Sequence, residues 1–403
     1  MTTTAVTPET LAIHGGKPVR EKFLPYGRQS VEENDIEAVL AVLRSDWLTT
    51  GPKVQEFEEA FAERVGAGYA ITFSSGTAAL HAATFAAGLK NGDEVITTPM
   101  TFVATANSVL YQGATPVFAD VSSDTLNLDP EQVVKKISSK TRAILPVDYA
   151  GHPADLSTII EIARQHDLLI IEDAAHALGA EHQGKRIGSI ADMTVFSFHP
   201  VKHITTGEGG MVTTDDEQLR AKLRRFRNHG ISSDARERQR AGEWQYEMVE
   251  LGYNYRLPDF ACALGIQQLK RLDRNLARRR AVAARYAAAF REIPGVITPR
   301  VRHDVTHAWH LYPIRLDLAR LTSDRAEVFR ALRGENIGVN VHYIPVHYHP
   351  YYRQRFGLRN GEFPIAEDAY ARLISLPMFH GMTDEDVDDV IAAVTKVWRH
   401  YRC

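Results

Sequence analysis

From Tyr69 to Ile171 the chain alternates short apolar runs with amphipathic stretches, and this rhythm limits the fold more than any other feature. Tyr69–Phe73, Glu94–Thr97 and residues 115–119, 143–147 and 168–171 are predicted strands. Residues 77–87, 102–111, 130–137 and Leu156–Gln165 are the helices between them. Several strands are continuously apolar, the mark of a sheet covered on both faces. Such alternation makes a mostly parallel, doubly wound α/β sheet, whose ligands sit at the carboxyl ends of its strands.

The rest of the chain frames this series. Residues 1–29 read as an irregular arm, and residues 30–44 and 54–65 as amphipathic helices. Residues 257–291 carry one long helical pattern leading out of the large domain. Its Lys270, Arg271, Arg274, Arg278, Arg279 and Arg280 read as a solvated basic face, since no stacking aromatics interleave them as a nucleic-acid surface requires. After Ala308 the pattern becomes α+β: strands at 309–316 and 339–343, helices at 325–335 and Asp384–Tyr401. The expected division is an arm (1–29), a large domain (30–270) and a smaller C-terminal domain (271–403).

Composition narrows the function. A net charge of −3 over 403 residues gives no general attraction to nucleic acid or an acidic membrane face. No apolar run approaches the roughly 18–20 residues that span a bilayer, and no signal segment is seen. Two distant cysteines, Cys262 and Cys403, imply no disulfide scaffold. A cytoplasmic protein is expected.

Four strand ends then offer complementary chemistry. Ser74-Ser-Gly-Thr-Ala78 joins a strand to a helix N-terminus, so Gly76 and Thr77 could present free amides to an anion; the same residues also suit an ordinary helix cap. Phe102 follows the next strand and offers either a flat face to an aromatic ring or a core side chain. Leu168-Leu-Ile-Ile-Glu-Asp-Ala-Ala-His176 ends an apolar strand in two acids. A carboxylate there favours the protonated form of a pyridine nitrogen, or simply caps a turn. Asp173 is preferred to Glu172, because the small residues after it suggest a tight turn, and His176 could reach a ring oxygen. Finally, a strand at 194–198 holds Ser197 for a phosphate, and Lys202 lies just past it. Gly207, Gly209 and Gly210 follow, suggesting backbone that bends sharply or approaches something bulky. A lysine in that place can form an imine with an aldehyde, which is how a pyridoxal 5'-phosphate (PLP) enzyme anchors its cofactor.

Glu172-Asp-Ala-Ala-His, Ser197-Phe-His-Pro-Val-Lys202 and Gly207-Glu-Gly-Gly together resemble the DegT/DnrJ/EryC1/StrS sugar aminotransferases, which are fold-type I PLP enzymes. The resemblance runs from about Leu24 to Met382. It implies that Lys202 is the Schiff-base lysine, that Asp173 pairs with the ring nitrogen and that Phe102 stacks on the ring. Gly76, Thr77 and Ser197 would hold the phosphate. Gly252-Tyr-Asn-Tyr-Arg256 is similar to the segment whose asparagine reaches a neighbouring subunit's cofactor, so Asn254 implies a homodimer. Many members carry Gln where this chain has His176. A dehydratase branch has His in place of the lysine, so Lys202 favours amino transfer.

Leu24-Pro-Tyr-Gly-Arg-Gln29 and Pro146-Val-Asp-Tyr-Ala-Gly151 resemble the branch that makes pseudaminic acid precursors. That resemblance implies transfer from glutamate to the 4-keto group of UDP-4-keto-6-deoxy-N-acetyl-hexosamine, giving UDP-4-amino-4,6-dideoxy-N-acetyl-β-L-altrosamine. Another UDP- or dTDP-keto sugar, or a non-catalytic PLP-fold protein, are the alternatives. Tyr26 is a candidate substrate contact. His342, His347 and His349 sit in an aromatic, Pro-rich stretch whose spacing matches no usual metal site. A loop lining the sugar pocket is the expectation there, with His347 facing substrate and no metal.

Overall fold

The computed structural model describes residues 10–233, 238 and 242–403, so the first nine residues of the expected arm lie outside it. Among the described residues, seven strands form one sheet, in the order β1-β9-β8-β5-β4-β2-β3. They are β1 (Tyr69–Phe73), β2 (Glu94–Thr97), β3 (Thr115–Phe118), β4 (Thr141–Leu145), β5 (Leu169–Asp173), β8 (Met193–Ser197) and β9 (Gly210–Thr214). The short hairpin strands β6 (Glu181–His182) and β7 (Lys185–Arg186) intervene in sequence and pair outside this sheet. β9 runs antiparallel to both neighbours and the other pairings are parallel, so the sheet is mostly parallel, as its apolar runs predict. Helices α1 (Glu33–Leu43), α2 (Pro52–Val65), α3 (Gly76–Ala86), α4 (Val103–Tyr111), α5 (Pro130–Lys136), α6 (Leu156–Gln165) and α7 (Glu217–Arg227) accompany it. One apolar cluster joins Phe57, Phe61, Ile144 and Phe196, and a second joins Phe73, Ala79, Val95 and Val195. Burial on both faces explains why the strands read as unbroken apolar runs.

The long helical pattern at 257–291 is two helices, α8 (Asp259–Lys270) and α9 (Leu272–Phe290), broken at Arg271. Lys270, Arg274 and Arg280 are exposed as a solvated basic face requires, but Arg279 is a correction. Arg279 is 1% exposed, and its Nη1 donates to the carbonyls of Trp309, His310 and Met378.

Beyond α9, strands β10 (Val296–Ile297), β12 (Tyr312–Leu316) and β13 (Leu373–Leu376) form a small antiparallel sheet, while β11 (Val305–Thr306) pairs with β6. Helices α10 (Arg325–Gly334), α11 (Pro350–Phe356), α12 (Pro364–Arg372) and α13 (Asp384–Tyr401) complete it. Their core takes in Leu11 and Leu24, so part of the arm is built into it. Two expected strands differ. The strand at 309–316 begins only at Tyr312, because Trp309 has φ of 51° and cannot continue a ladder. Residues 339–343 form no strand: they meet β13 at a single bridge, Asn340–Ser375, and then turn toward the large sheet.

Candidate active site

A cavity of about 530 Å³ opens at the carboxyl ends of β1, β5 and β8, walled on its far side by Tyr26, His310 and residues 340–343. Strand direction explains its position. β1, β5 and β8 point the same way, so the residues just past them meet at one sheet edge.

Past β1, the Ser75 hydroxyl caps α3 by accepting from the Ala78 amide at 3.1 Å, and Gly76 and Thr77 form the first turn. Gly76 has no room for a side chain: a Cβ would lie 2.9 Å from that of Ser197. Gly210 is equally confined, since a Cβ there would stand 2.5 Å from the Ser75 carbonyl oxygen. The glycines after Lys202 therefore serve the close approach expected of them, and Gly207, with φ of 82°, supplies the bend. Ser75, Gly76 and Thr77 at the start of α3 and Ser197 all line the cavity, a cradle suited to a phosphate.

Past β5, Asp173 lines the cavity and is 5% exposed. Its Oδ2 accepts from the Thr105 hydroxyl at 2.7 Å and its Oδ1 from the Ala175 amide at 3.2 Å. Burial raises its pKa, and these two donors with the nearby Lys202 charge pull partly against that rise. Glu172 is fully buried outside the cavity and accepts from Thr194 at 2.7 Å, so alternation along β5 gives the two acids different surroundings.

Past β8, the Lys202 amide closes a turn on the His199 carbonyl at 2.9 Å, and its ammonium enters the cavity. Burial lowers its pKa to about 8, with Asp173 opposing that fall. A substantial neutral fraction near neutral pH suits a nucleophile or base.

Phe102 precedes α4 and is 57% exposed in the cavity wall, so its ring is not a core side chain. His176 is buried with its ring 4.3 Å from that of His310, and a 2.9 Å hydrogen bond joins its Nε2 to the Tyr343 hydroxyl. Burial, then Lys202, His342 and His203, hold it well below the usual histidine pKa, so the imidazole is neutral. Its Nδ1 has no partner among the described residues.

Tyr26 also reaches the cavity: Leu24 bridges to Ile337, and the Tyr26 carbonyl accepts from Met378 at 3.0 Å. Asn254 does not reach it; it is exposed and bridges to Asn228. His347 corrects the expectation that it faces substrate. It is 0% exposed, packs on Phe363, and meets Glu367 across 3.1 Å. Its neighbours His342 and Tyr343 line the cavity instead. These two belong to the loop expected to line the sugar pocket, whereas His310 and Thr105 are the residues that sequence reading missed. Thr105 had a usable signal, since it lies in the first turn of the helix that Phe102 precedes. His310 had none, because its position depends on the unusual backbone at Trp309.

Comparison with known proteins agrees with this geometry. The family model for the DegT/DnrJ/EryC1/StrS aminotransferase family matches residues 29–395. The spore coat polysaccharide biosynthesis protein SpsC of Bacillus subtilis is 47% identical over 380 residues, covering 94% of this chain and 98% of SpsC. Among solved structures, Helicobacter pylori PseC, an aminotransferase involved in the biosynthesis of pseudoaminic acid, is 34% identical with a TM-score of 0.87, covering 94% of this chain and 100% of PseC. The sugar aminotransferase Spr1654 of Streptococcus pneumoniae, in its PLP-form, is 30% identical with a TM-score of 0.88, covering 94% and 99%; it is also known in a PMP-form. A family model spanning nearly the whole chain, and relatives this similar over nearly their full length, place the protein in the DegT/DnrJ/EryC1/StrS aminotransferase family.

Proposed function

We propose that this chain is a PLP-dependent aminotransferase that moves an amino group from glutamate to the 4-keto group of a nucleotide-linked 4-keto-6-deoxy sugar. The observation that carries this reading is the meeting of Lys202, Asp173, Phe102 and the Gly76–Ser197 cradle around one cavity. The residues fit PLP in kind: a cradle too tight for any Cβ at Gly76, an uncovered aromatic face, a buried acid and a partly neutral amine. The cofactor, when bound, supplies an aldehyde that exchanges amines and a pyridine ring that accepts electrons from the carbon losing its proton.

The protein's part is positioning and proton transfer. Ser197, Thr77 and the first amides of α3 would hold the phosphate. Asp173 would keep a proton on the ring nitrogen, and Thr105 keeps its carboxyl aimed. Phe102 would cover a ring face. Neutral His176, oriented by Tyr343, would be the group for the ring oxygen. Lys202 would hold the cofactor through its amine and serve as the base that moves a proton at the substrate carbon, which its pKa of about 8 permits. Tyr26, His342 and Tyr343 border the space left for the sugar.

Asn254 completes the site of a second subunit. Trp244, Met248 and Leu251, exposed by 64–85%, precede it on the same segment and supply the apolar surface of a homodimer. The chain works in the cytoplasm and divides into an arm (1–29), a large domain (30–270) and a small domain (271–403). The substrate read here is UDP-4-keto-6-deoxy-N-acetyl-hexosamine, giving UDP-4-amino-4,6-dideoxy-N-acetyl-β-L-altrosamine; the likeness to PseC supports it. A second reading, a keto sugar of a coat polysaccharide, is favoured by the higher identity to SpsC. Purified protein with PLP, glutamate and a panel of UDP- and dTDP-4-keto sugars decides, with mass analysis showing which sugar gains an amine. Amination of no sugar in the panel overturns the proposal.

A further inference from the structure

Behind Asp173 lie two more carboxyls with no evident use. Val147 pairs with Asp173 across the parallel strands, and both line the cavity. The next residue, Asp148, and the preceding one, Glu172, are 0% exposed and outside it. The Asp148 amide donates to the Asp173 carbonyl at 3.1 Å, which locks the three together. One oxygen of each acid is satisfied: Asp148 Oδ1 accepts from the Ala154 amide at 2.8 Å, and Glu172 Oε2 from Thr194 at 2.7 Å. The other two, Asp148 Oδ2 and Glu172 Oε1, are buried without a donor among the described residues. The two carboxyls are direct neighbours, and neither is in a described ion pair. Two ionised carboxylates in contact offer only acceptors, so nothing joins them unless a proton lies between.

We propose that Asp148 and Glu172 share one proton between these two oxygens, and that this proton relieves neighbouring Asp173 of one of the two negative charges it would otherwise face. The pair is a positioning device for Asp173, so its role in catalysis rests on the reading that Asp173 meets the ring nitrogen. The surrounding groups leave few alternatives. Lys202 follows β8 and faces Asp173; Tyr343 approaches from the small domain; Thr105 on α4 and Thr194 on β8 contribute hydroxyls. Burial first, and then the charge of Glu172, lift Asp148 well above the ordinary carboxyl range. Burial likewise lifts Glu172 to about 7. Above that pH the pair holds one proton and a single negative charge.

Infrared spectroscopy of the cofactor-free protein tests the proton directly. At pH 8 the wild type should show the carbonyl stretch of a protonated carboxylic acid, shifted by D2O, and both Asp148→Asn and Glu172→Gln should lose it. A missing band, or one that survives in both variants, overturns the proposal. Stability provides a second check, read as a difference because buried neutral histidines such as His176 titrate in the same range with the opposite sign. Because the folded pKa of Glu172 is raised, its own contribution falls as pH rises from about 4.5 to about 7, so the wild type should lose stability relative to Glu172→Gln across that window. A difference that stays flat or grows across that window counts against it. The link to Asp173 is read from the visible absorbance of the PLP-bound protein, which should show an inflection near pH 7 that Glu172→Gln removes. An inflection that persists in Glu172→Gln breaks the link to Asp173. If no PLP binds while the infrared band is present, the functional reading fails and the shared proton stands; PLP binding without the band gives the reverse.

Discussion

The two walls of the cavity are built differently. One consists of residues at or just past the ends of β1, β5 and β8, where a shared strand direction delivers Gly76, Asp173, Ser197 and Lys202 to one edge. The other is assembled from Tyr26 on the arm, His310, and the 340–343 segment. It is held by scattered devices: the Leu24–Ile337 bridge, the single Asn340–Ser375 bridge, and buried Arg279 donating to the Trp309 and His310 carbonyls. The difference teaches a division of labour. On the proposed function, groups that must keep one geometry for the chemistry stand on the sheet, and groups placed to meet the variable part of a substrate stand on loops, which change at less cost to the fold.

That contrast can be broken by mutation. Lys202→Ala should have the largest effect. Turnover should drop by about 10⁴-fold or more, the upper range for a general acid–base group, and the visible absorbance of bound PLP should change while circular dichroism stays native. For the wild type, capture of PLP should quicken as pH rises through about 8, because the neutral amine is the reactive form. Asp173→Asn comes next, with a loss of about 10²–10³-fold in kcat, typical of removing one preorganised electrostatic partner; a mere few-fold loss would mean that the sheet wall does not carry the chemistry.

On the other wall, effects should fall mainly on stability and KM. Glu335 is fully buried, pairs with Lys396 at 2.9 Å and accepts from the Ala12 and Val19 amides, which fastens the arm. Glu335→Ala leaves Lys396 buried without its partner and should reduce stability by about 3–5 kcal/mol in denaturant titration. If the protein still folds, KM for the sugar should rise through Tyr26. The smallest effect belongs to Tyr343→Phe, which removes the hydrogen bond to His176. About 1 kcal/mol is expected, roughly a tenfold or smaller loss in kcat/KM. A loss as large as that of Asp173→Asn would show that the loop wall takes part in the chemistry and would dissolve the distinction.

Legibility in sequence follows the same division. Strands β1 and β2 and helices α6 and α13 lie where their periodicity placed them, because local pattern and burial agree. Lys202, Asp173, Gly76 and Ser197 could be singled out because each ends or follows a recognisable strand at a predictable edge. Choosing Asp173 over Glu172 from the small residues after it matches their placement, and strand alternation gives the reason. His347 could not be placed in this way. Whether it or Tyr343 faces the cavity depends on how a loop with one bridge to β13 turns, and Glu367, twenty residues later, is what draws His347 inward. Arg279 looked like one charge among many on a basic helix; the three carbonyls it serves come from two distant segments.

The amino-acid sequence by itself determined the mostly parallel sheet, the order of its strand-end motifs and the residue types they present, since strand periodicity, glycine placement and helix starts are local properties. Only the tertiary structure decided which histidines are neutral and buried, which loop residues form the second wall, and that Asp148 meets Glu172 behind Asp173. Those outcomes depend on burial and on contacts between segments far apart in the chain, where a side chain's surroundings are set by packing and not by its neighbours in sequence.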